Sequence, residues 1–580
     1  MKKILAILLL IVGQVGAQVT VGWDSSCDYD ESQTPGQIQQ AINDGNGEIR
    51  LTNQQEFVMP ISINDTVTIS GGYNTCADAD NNIQSQNMTV INGSTFNQAV
   101  VEIGTNLAVR DINLDSIEIK NSQYGAINVF NSSGSINLSR LKIHDNTNDV
   151  FGGGLTLRND QMTAGSPLTV NLMDVLILNN MTLGAGGGIF CEIPETSTFI
   201  RVTASGNSGV SFNHADRQGG GISLSHCTLD FSSGTASPSL SNPLGIHGNT
   251  ANLQGGGLFI SNASEVTLTG NQVSPVNITS NTAAGDGGGI AVRGISASDQ
   301  SKLNATDVLI SENSSLNTRD GGGLYVDFDA VANIGSNFRN CSWSPLCSLI
   351  ENNTAQSGGA VAIENRGHVK IVGTEIMGNR ARYSASVAHL FQDGSELILE
   401  GTLIHHNGGT DHTIFSDTNL ITNSFGDNSV TIAYSTIVDN SVTNATLAVY
   451  SGSNGALNLY GSIIDDPGIF AFILTNLIVD GEAKCNILGN DYSVEFMPVN
   501  SQNIETTPAF IDRPNQDYHL DPSLSVGIDR CEQNIYSILS DDLDGNIRGY
   551  NHPDFANDTG QFDIGVDEVS SDIIFKDSFE

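Results

Sequence analysis

The chain has 580 residues, 39% of them hydrophobic, enough to fill a large core. Its 23 Lys and Arg against 63 Asp and Glu give a formal charge of −40, which repels nucleic acid and anionic membrane surfaces and suits cations, cationic surfaces or a salt-rich exterior. Glycine is abundant at 62 and proline scarce at 14, which excludes a collagen and a disordered Pro-rich chain.

The first 17 residues read as a secretory signal. Lys2 and Lys3 form the charged start, Ile4 to Val12 the apolar stretch, and Val15-Gly16-Ala17 the small-residue cleavage site before Gln18. The apolar run falls short of the ~20 residues that span a bilayer, so no transmembrane segment is expected after cleavage. Residues 18–100 are expected to form an N-terminal cap and the first coils. TPGQIQQAINDGNGEIRL (34–51) opens with a short amphipathic helix that buries Ile38, Ala41 and Ile42.

From about 101 to 490 one phrase recurs: Ile-x-x-Asn, a polar turn, then Gly-Gly-Gly and an alternating apolar strand. IHDNTNDVFGGGLTL (143–157) and ITSNTAAGDGGGIAV (278–292) are two copies, and the glycine blocks begin at 152, 186, 219, 255, 287, 321 and 358. The spacing of 32 to 37 residues gives one wide coil per repeat. Later copies keep the Asn and lose the glycines. Ten asparagines align in this reading: Asn146, Asn180, Asn207, Asn249, Asn281, Asn313, Asn353, Asn379, Asn407 and Asn440. Stacked coils place like residues about 4.8 Å apart, so inward asparagines form a hydrogen-bonded ladder and glycines turn the corners. A six-residue period and propeller signatures are missing. The expected fold is all-β, a right-handed parallel β-helix (a solenoid) with a short helix-containing N-terminal cap and an irregular C-terminal cap.

Residues 491–569 break the rhythm. TPAFIDRPNQDYHLDPSLSVGIDRC (507–531), DDLDGNIRGY (541–550) and FDIGVDEV (562–569) resemble the C-terminal region of secreted bacterial β-helix proteins of the choice-of-anchor type, in which this segment closes the solenoid. The glycine repeats are similar to the passengers of polymorphic outer-membrane proteins, with Ile here where that family often has Phe. Those proteins end in a transmembrane barrel, for which no room remains after 570, so self-export is not expected. The tail, 570–580, resembles a short acidic-aromatic terminus of exported Gram-negative proteins.

The eight cysteines of an exported chain favour disulfides. Proximity pairs Cys27/Cys76, Cys191/Cys227, Cys341/Cys347 and Cys485/Cys531, one of 105 connectivities.

Chemistry is harder to find. Pectin-hydrolase signatures (Gly-His-Gly, Arg-Ile-Lys) do not occur, and Asp465-Asp466 and Asp541-Asp542 read as solvated turn acids. A uronan lyase requires cations to neutralise the sugar carboxylate and a base for the C5 proton. The basic island Arg366, His368, Lys370, Arg380, Arg382, Tyr383 and His389 offers them, with Arg380, Arg382, Tyr383 and His389 as lyase candidates and His405 and His406 one coil on. The competing reading is exposed arginines balancing acidic neighbours. Asp542, Asp544 and Asn546 in DDLDGN are spaced like the start of a calcium loop but lack its later acid, so a capping turn competes with a calcium site. No other cofactor is expected. The expected role is non-enzymatic adhesion or surface interaction of a secreted or outer-membrane surface protein, with an extracellular glycan or cell-surface ligand as partner. The alternative is a polysaccharide lyase or hydrolase.

Overall fold

The computed structural model describes residues 17–569 apart from 105–108, 160–166, 195–199, 236–243, 317–318, 410–413, 450–454, 475–480, 490–501, 533–535, 537–540 and 552–559. The signal segment up to residue 16 and the tail 570–580 lie outside the described residues. The chain is an all-β parallel β-helix: strands stack into parallel sheets of 17, 15, 14 and 8 members. One coil shows the order. Val276–Thr279 enters from the turn, the two-residue strand Thr282–Ala283 follows, Ile290–Arg293 leaves the glycine triplet, and Lys302–Thr306 returns to the next coil. These positions define an entry, a short, a glycine and a return sheet.

Alternation decides which side chains face inward. Ile143, Ile177, Val210, Ile246, Ile278 and Ile310 pair one above the next in the entry sheet, all of them buried. The column continues through Ile350, Ile376, Ile404, Ile437 and Ile464.

The asparagine ladder stands at the turn that follows. The backbone N–H and Nδ2 of Asn249 both donate to Oδ1 of Asn281, at 3.0 Å each, and Nδ2 also donates to the Val210 carbonyl at 2.8 Å. Asn281 repeats the pattern onto Asn313 and the Ile246 carbonyl. Each rung's buried donors are thereby satisfied by neighbouring coils. The second coil corrects the expected alignment. Asn213, not Asn207, receives both donors of Asn180 and passes its own to Asn249, while Asn207 sits half-buried with its N–H on Asp174.

The ladder ends on Asp466, whose Oδ1 accepts from the N–H and Nδ2 of Asn440 at 2.8 and 3.0 Å, and whose Oδ2 accepts from Thr446 Oγ1 at 2.7 Å. Asp466 is therefore buried, and so are Asp465, which pairs with Arg513, and Asp542, which accepts bonds within its own turn; none of the three is the solvated turn acid expected. For Asp466 the sequence reading failed because a ladder needs only an acceptor at its last rung, which a carboxylate supplies.

The glycine triplets do two different jobs. Gly287 takes φ +71°, where an L side chain is strained. A Cβ on Gly288 would lie 2.4 Å from the Ser314 backbone of the coil above. Close stacking therefore demands glycine at both places.

At the N-terminal end, the helix α1 (Gln37–Asn43) buries Ile38 and Ala41 in the main core, with Ile42 packed at its margin. At the other end the C-terminal region, read from the sequence as a cap, extends along the flank. Tyr518, Leu520, Leu543, Phe562, Ile564 and Val566 form one apolar cluster with Leu346, Leu403, Val438, Ile463 and Ile487. Polar ties fix it: Tyr518 Oη donates to Asp439 (3.1 Å), Val566 N–H to Thr436 Oγ1 (3.0 Å), and Arg339 Nε to the Asp542 carbonyl (3.0 Å). The four disulfides join the pairs expected from proximity. Among the described residues no helix is long and apolar enough to cross a membrane.

Asn281→Ala strands two donors of Asn249 and should cost about 3 kcal/mol or more in urea unfolding, whereas Asn207→Ala should cost at most about 1 kcal/mol. Asp466 supplies a second measurement. Burial pushes its carboxyl up to about 6 against the opposing hydrogen bonds from Asn440 and Thr446. The folded chain then holds a proton that the unfolded chain releases, so this contribution is complete below the ordinary value of 3.8 and lost as pH rises to about 6. Asp466→Asn should flatten that pH dependence and stabilise the protein at pH 7 by about 1–3 kcal/mol.

Candidate functional site

Among the described residues Arg380–Ser384 is the last strand of the short sheet, and a groove of about 610 Å³ opens beside it. The floor is the outward face of the glycine sheet. In that sheet Ala362 pairs with His389 and His389 with Thr422, while Glu364 pairs with Phe391 and Phe391 with Ser424. Tyr383, Ser384, Ser416 and Thr418 form one wall, Phe425 the lip, and Asp320, Gln356 and Ser357 the end nearer the N-terminus. The wall begins where the glycines fail. Ala385, which accepts the Gly359 N–H, adopts φ +59° without being glycine, a conformation that costs energy and is held by its surroundings.

The floor carries an unusual acid. Glu364 Oε2 accepts from the Tyr325 hydroxyl at 3.0 Å. Burial first, then the negative charge of Asp320, pushes the Glu364 carboxyl up to about 7, although the Tyr325 hydrogen bond pulls it down. It therefore keeps its proton to a higher pH than an ordinary glutamate. Burial likewise keeps the Tyr325 hydroxyl un-ionised. Asp320 uses Oδ1 to accept the Ser357 N–H at 3.1 Å and places Oδ2 3.5 Å from His389 Nδ1. That distance is too long for a good hydrogen bond. His389 Nδ1 and Gln356 Oε1 are buried without a partner, so two polar groups that line the groove await one. Phe391 and Phe425 meet edge to face at 5.7 Å. Phe425 is 58% and Tyr383 69% exposed, which leaves apolar ring surface open to a ligand.

The basic island splits over three faces. Arg366, His368 and Lys370 lie at and along the return strand His368–Val372 and pair with Asp329, Glu396 and Glu400. Arg380 is committed to the buried Asp417 at 2.7 Å and stacks on Phe415; Arg382 is exposed on the same short strand. His405 is buried on the entry sheet against Glu375 at 2.9 Å, with His406 beside it. Of the lyase candidates only Tyr383 and His389 line the groove. Asp320, Gln356, Glu364, Phe391 and Phe425 are among the groove residues that sequence reasoning missed. Their only linear signal is the repeat register, which places Glu364 and Phe391 on adjacent coils.

The DDLDGN residues form a closed turn. Asp542 Oδ1 accepts the N–H of Asp544 and of Asn546, and Oδ2 accepts Asn546 Nδ2 and the Glu568 N–H. Asn546 thus serves Asp542, and Asp544 turns away toward His519 at 3.1 Å. Neither a protein-family model nor a curated protein matches the chain.

Asp320→Asn keeps the acceptor for Ser357 and removes the charge next to Glu364. The Glu364 carboxyl should then titrate below 7, seen as a downward shift of its ¹³C carboxyl midpoint in glutamate-labelled protein.

Proposed function

We propose that this chain is an exported β-helix protein that holds an extracellular glycan in the groove between Tyr383 and Phe425 and acts by binding at a surface. One observation carries the reading: exposed rings face a floor of unpartnered and hydroxyl-bearing polar groups, the composition that a sugar ring meets with its apolar face and its hydroxyl edge. The groove is acidic at Asp320 and Glu364, so neutral and amino sugars suit it and uronans do not. A uronan lyase draws little support, since Arg380 is tied to Asp417. Four disulfides fit an oxidising compartment, and the apolar signal-like start together with the choice-of-anchor-like C-terminal pattern supports export to the cell surface or beyond.

A second reading rests on Glu364. A carboxyl poised near neutrality next to a second acid is what a glycoside hydrolase uses to protonate a leaving oxygen. Calorimetry on a panel of neutral, amino and uronic oligosaccharides separates these readings. Binding of neutral or amino glycans should weaken about five- to tenfold in Phe391→Ala and Phe425→Ala, as expected when stacking worth about 1–1.5 kcal/mol is lost. Equal binding by both variants, or a preference for uronans, would sink the proposal. Release of reducing ends by the wild type and not by Glu364→Gln would move the assignment to hydrolysis.

A further inference from the structure

The C-terminal region holds a second cluster, unconnected with the groove. One ligand atom from each of His519, Asp544 and Asp567 lies within 4.8 Å of the other two. They come from three separate pieces of chain: the strand Asp517–Leu520, the 541–547 turn and the final segment 562–569. His519 Nε2 stands 3.1 Å from Asp544 Oδ2, and its Nδ1 lies 2.5 Å from Asp517 Oδ1. A carboxylate on one ring nitrogen is the usual way a metal-binding imidazole is oriented for its other nitrogen to ligate.

Asp567 forms the floor. It is 2% exposed, and its Oδ2 accepts the Leu520 N–H at 3.2 Å, yet its Oδ1 has no partner. A buried carboxylate oxygen without a donor is costly, and here it lies in a cluster whose other members are an imidazole and a carboxylate. The His519 and Asp544 side chains are 23% and 33% exposed, so the rim of the cluster meets solvent above a buried floor. The 3.1 Å separation is close to the ligand–ligand edge of about 3.3 Å in a tetrahedron with ~2.0 Å bonds.

We infer that His519, Asp544 and Asp567 form a site for a divalent transition ion, zinc in the first instance, which staples the C-terminal region together. One nitrogen and two carboxylate oxygens suit zinc or manganese better than calcium, which takes six to eight oxygens. Three protein ligands leave a fourth position for water. The ion would tie together three chain segments that an apolar cluster and a few hydrogen bonds hold against the entry sheet, and Arg339 would carry that tie to a coil two hundred residues earlier.

The test uses the full chain, stripped with a chelator and dialysed against micromolar Zn²⁺. One equivalent should remain bound and the thermal midpoint should rise by several degrees. His519→Gln and Asp567→Asn should each lose that equivalent and the rise, while His214→Ala, which removes the surface partner of Asp216, should keep both. Cobalt in place of zinc should give visible absorption in the wild type and none in His519→Gln. If the buried variants fail to fold, Asp544→Asn, altered at a partly exposed turn, makes the same comparison with its fold checked by circular dichroism. The inference is overturned if the wild type retains no stoichiometric zinc, if a folded variant retains it undiminished, or if Ca²⁺ stabilises the chain and Zn²⁺ does not.

Discussion

An asparagine amide buried at a turn can be satisfied only if the next coil brings another acceptor to the same place. That requirement governs the whole stack. The ladder bonds stay at 2.9–3.0 Å from Asn146 Nδ2 to Asn440 Nδ2, while the number of residues between rungs ranges from 26 to 40. Coil length is free; ladder position is not. Extra residues must leave the coil elsewhere, as the Cys341–Cys347 loop does between the return strand and the next entry strand. The same loop supplies Arg339 and Leu346 to the C-terminal flank, so an insertion tolerated by the ladder became an attachment point.

The groove follows from the same logic. Glycine triplets keep successive coils in near contact at the corner before the glycine sheet. Once Ala385, Ser386 and Val387 replace them, side chains return to that corner, and Arg380–Ser384 is the last strand of the short sheet among the described residues. The floor then changes from small or tucked residues (Ala291, Tyr325, Ala362) to His389 and Thr422. A loss of repeat regularity thus opens a concave surface and gathers acids from coils that are distant in sequence.

The stack was legible in the sequence because its physics is periodic. Inward apolar alternation, glycine corners and the ladder all repeat, and the one misplaced rung shows the limit. The stretch from 204 to 224 offers Asn207 and Asn213, and only Asn213 stands six residues before its glycine block, as Asn146, Asn180, Asn249 and Asn281 do. The usual six-residue distance to the corner, kept in five of the seven glycine-bearing coils, marks the true rung here better than the Ile-x-x-Asn wording. The groove was less legible. The basic island spans 366 to 389, almost a full coil, so nearness in sequence spread its members around the girth. Asp320 and Glu364 are 44 residues apart in the chain and face one another's field across neighbouring coils. The C-terminal ion cluster was equally hidden, because Asp544 was visible as part of a motif whereas its partners come from outside it.

A stack of parallel coils can form in the order in which the chain emerges, since each turn rests only on the one before it. The flank does not share that freedom. Leu346 and Arg339 receive their partners from residues 518–566, so the apolar outer face of the entry sheet from Leu403 to Ile487 stays uncovered until nearly the whole chain has appeared. Winding is progressive and sealing is final. Truncation near the C-terminus would leave a wound but open solenoid with a sticky side, prone to associate with its own kind.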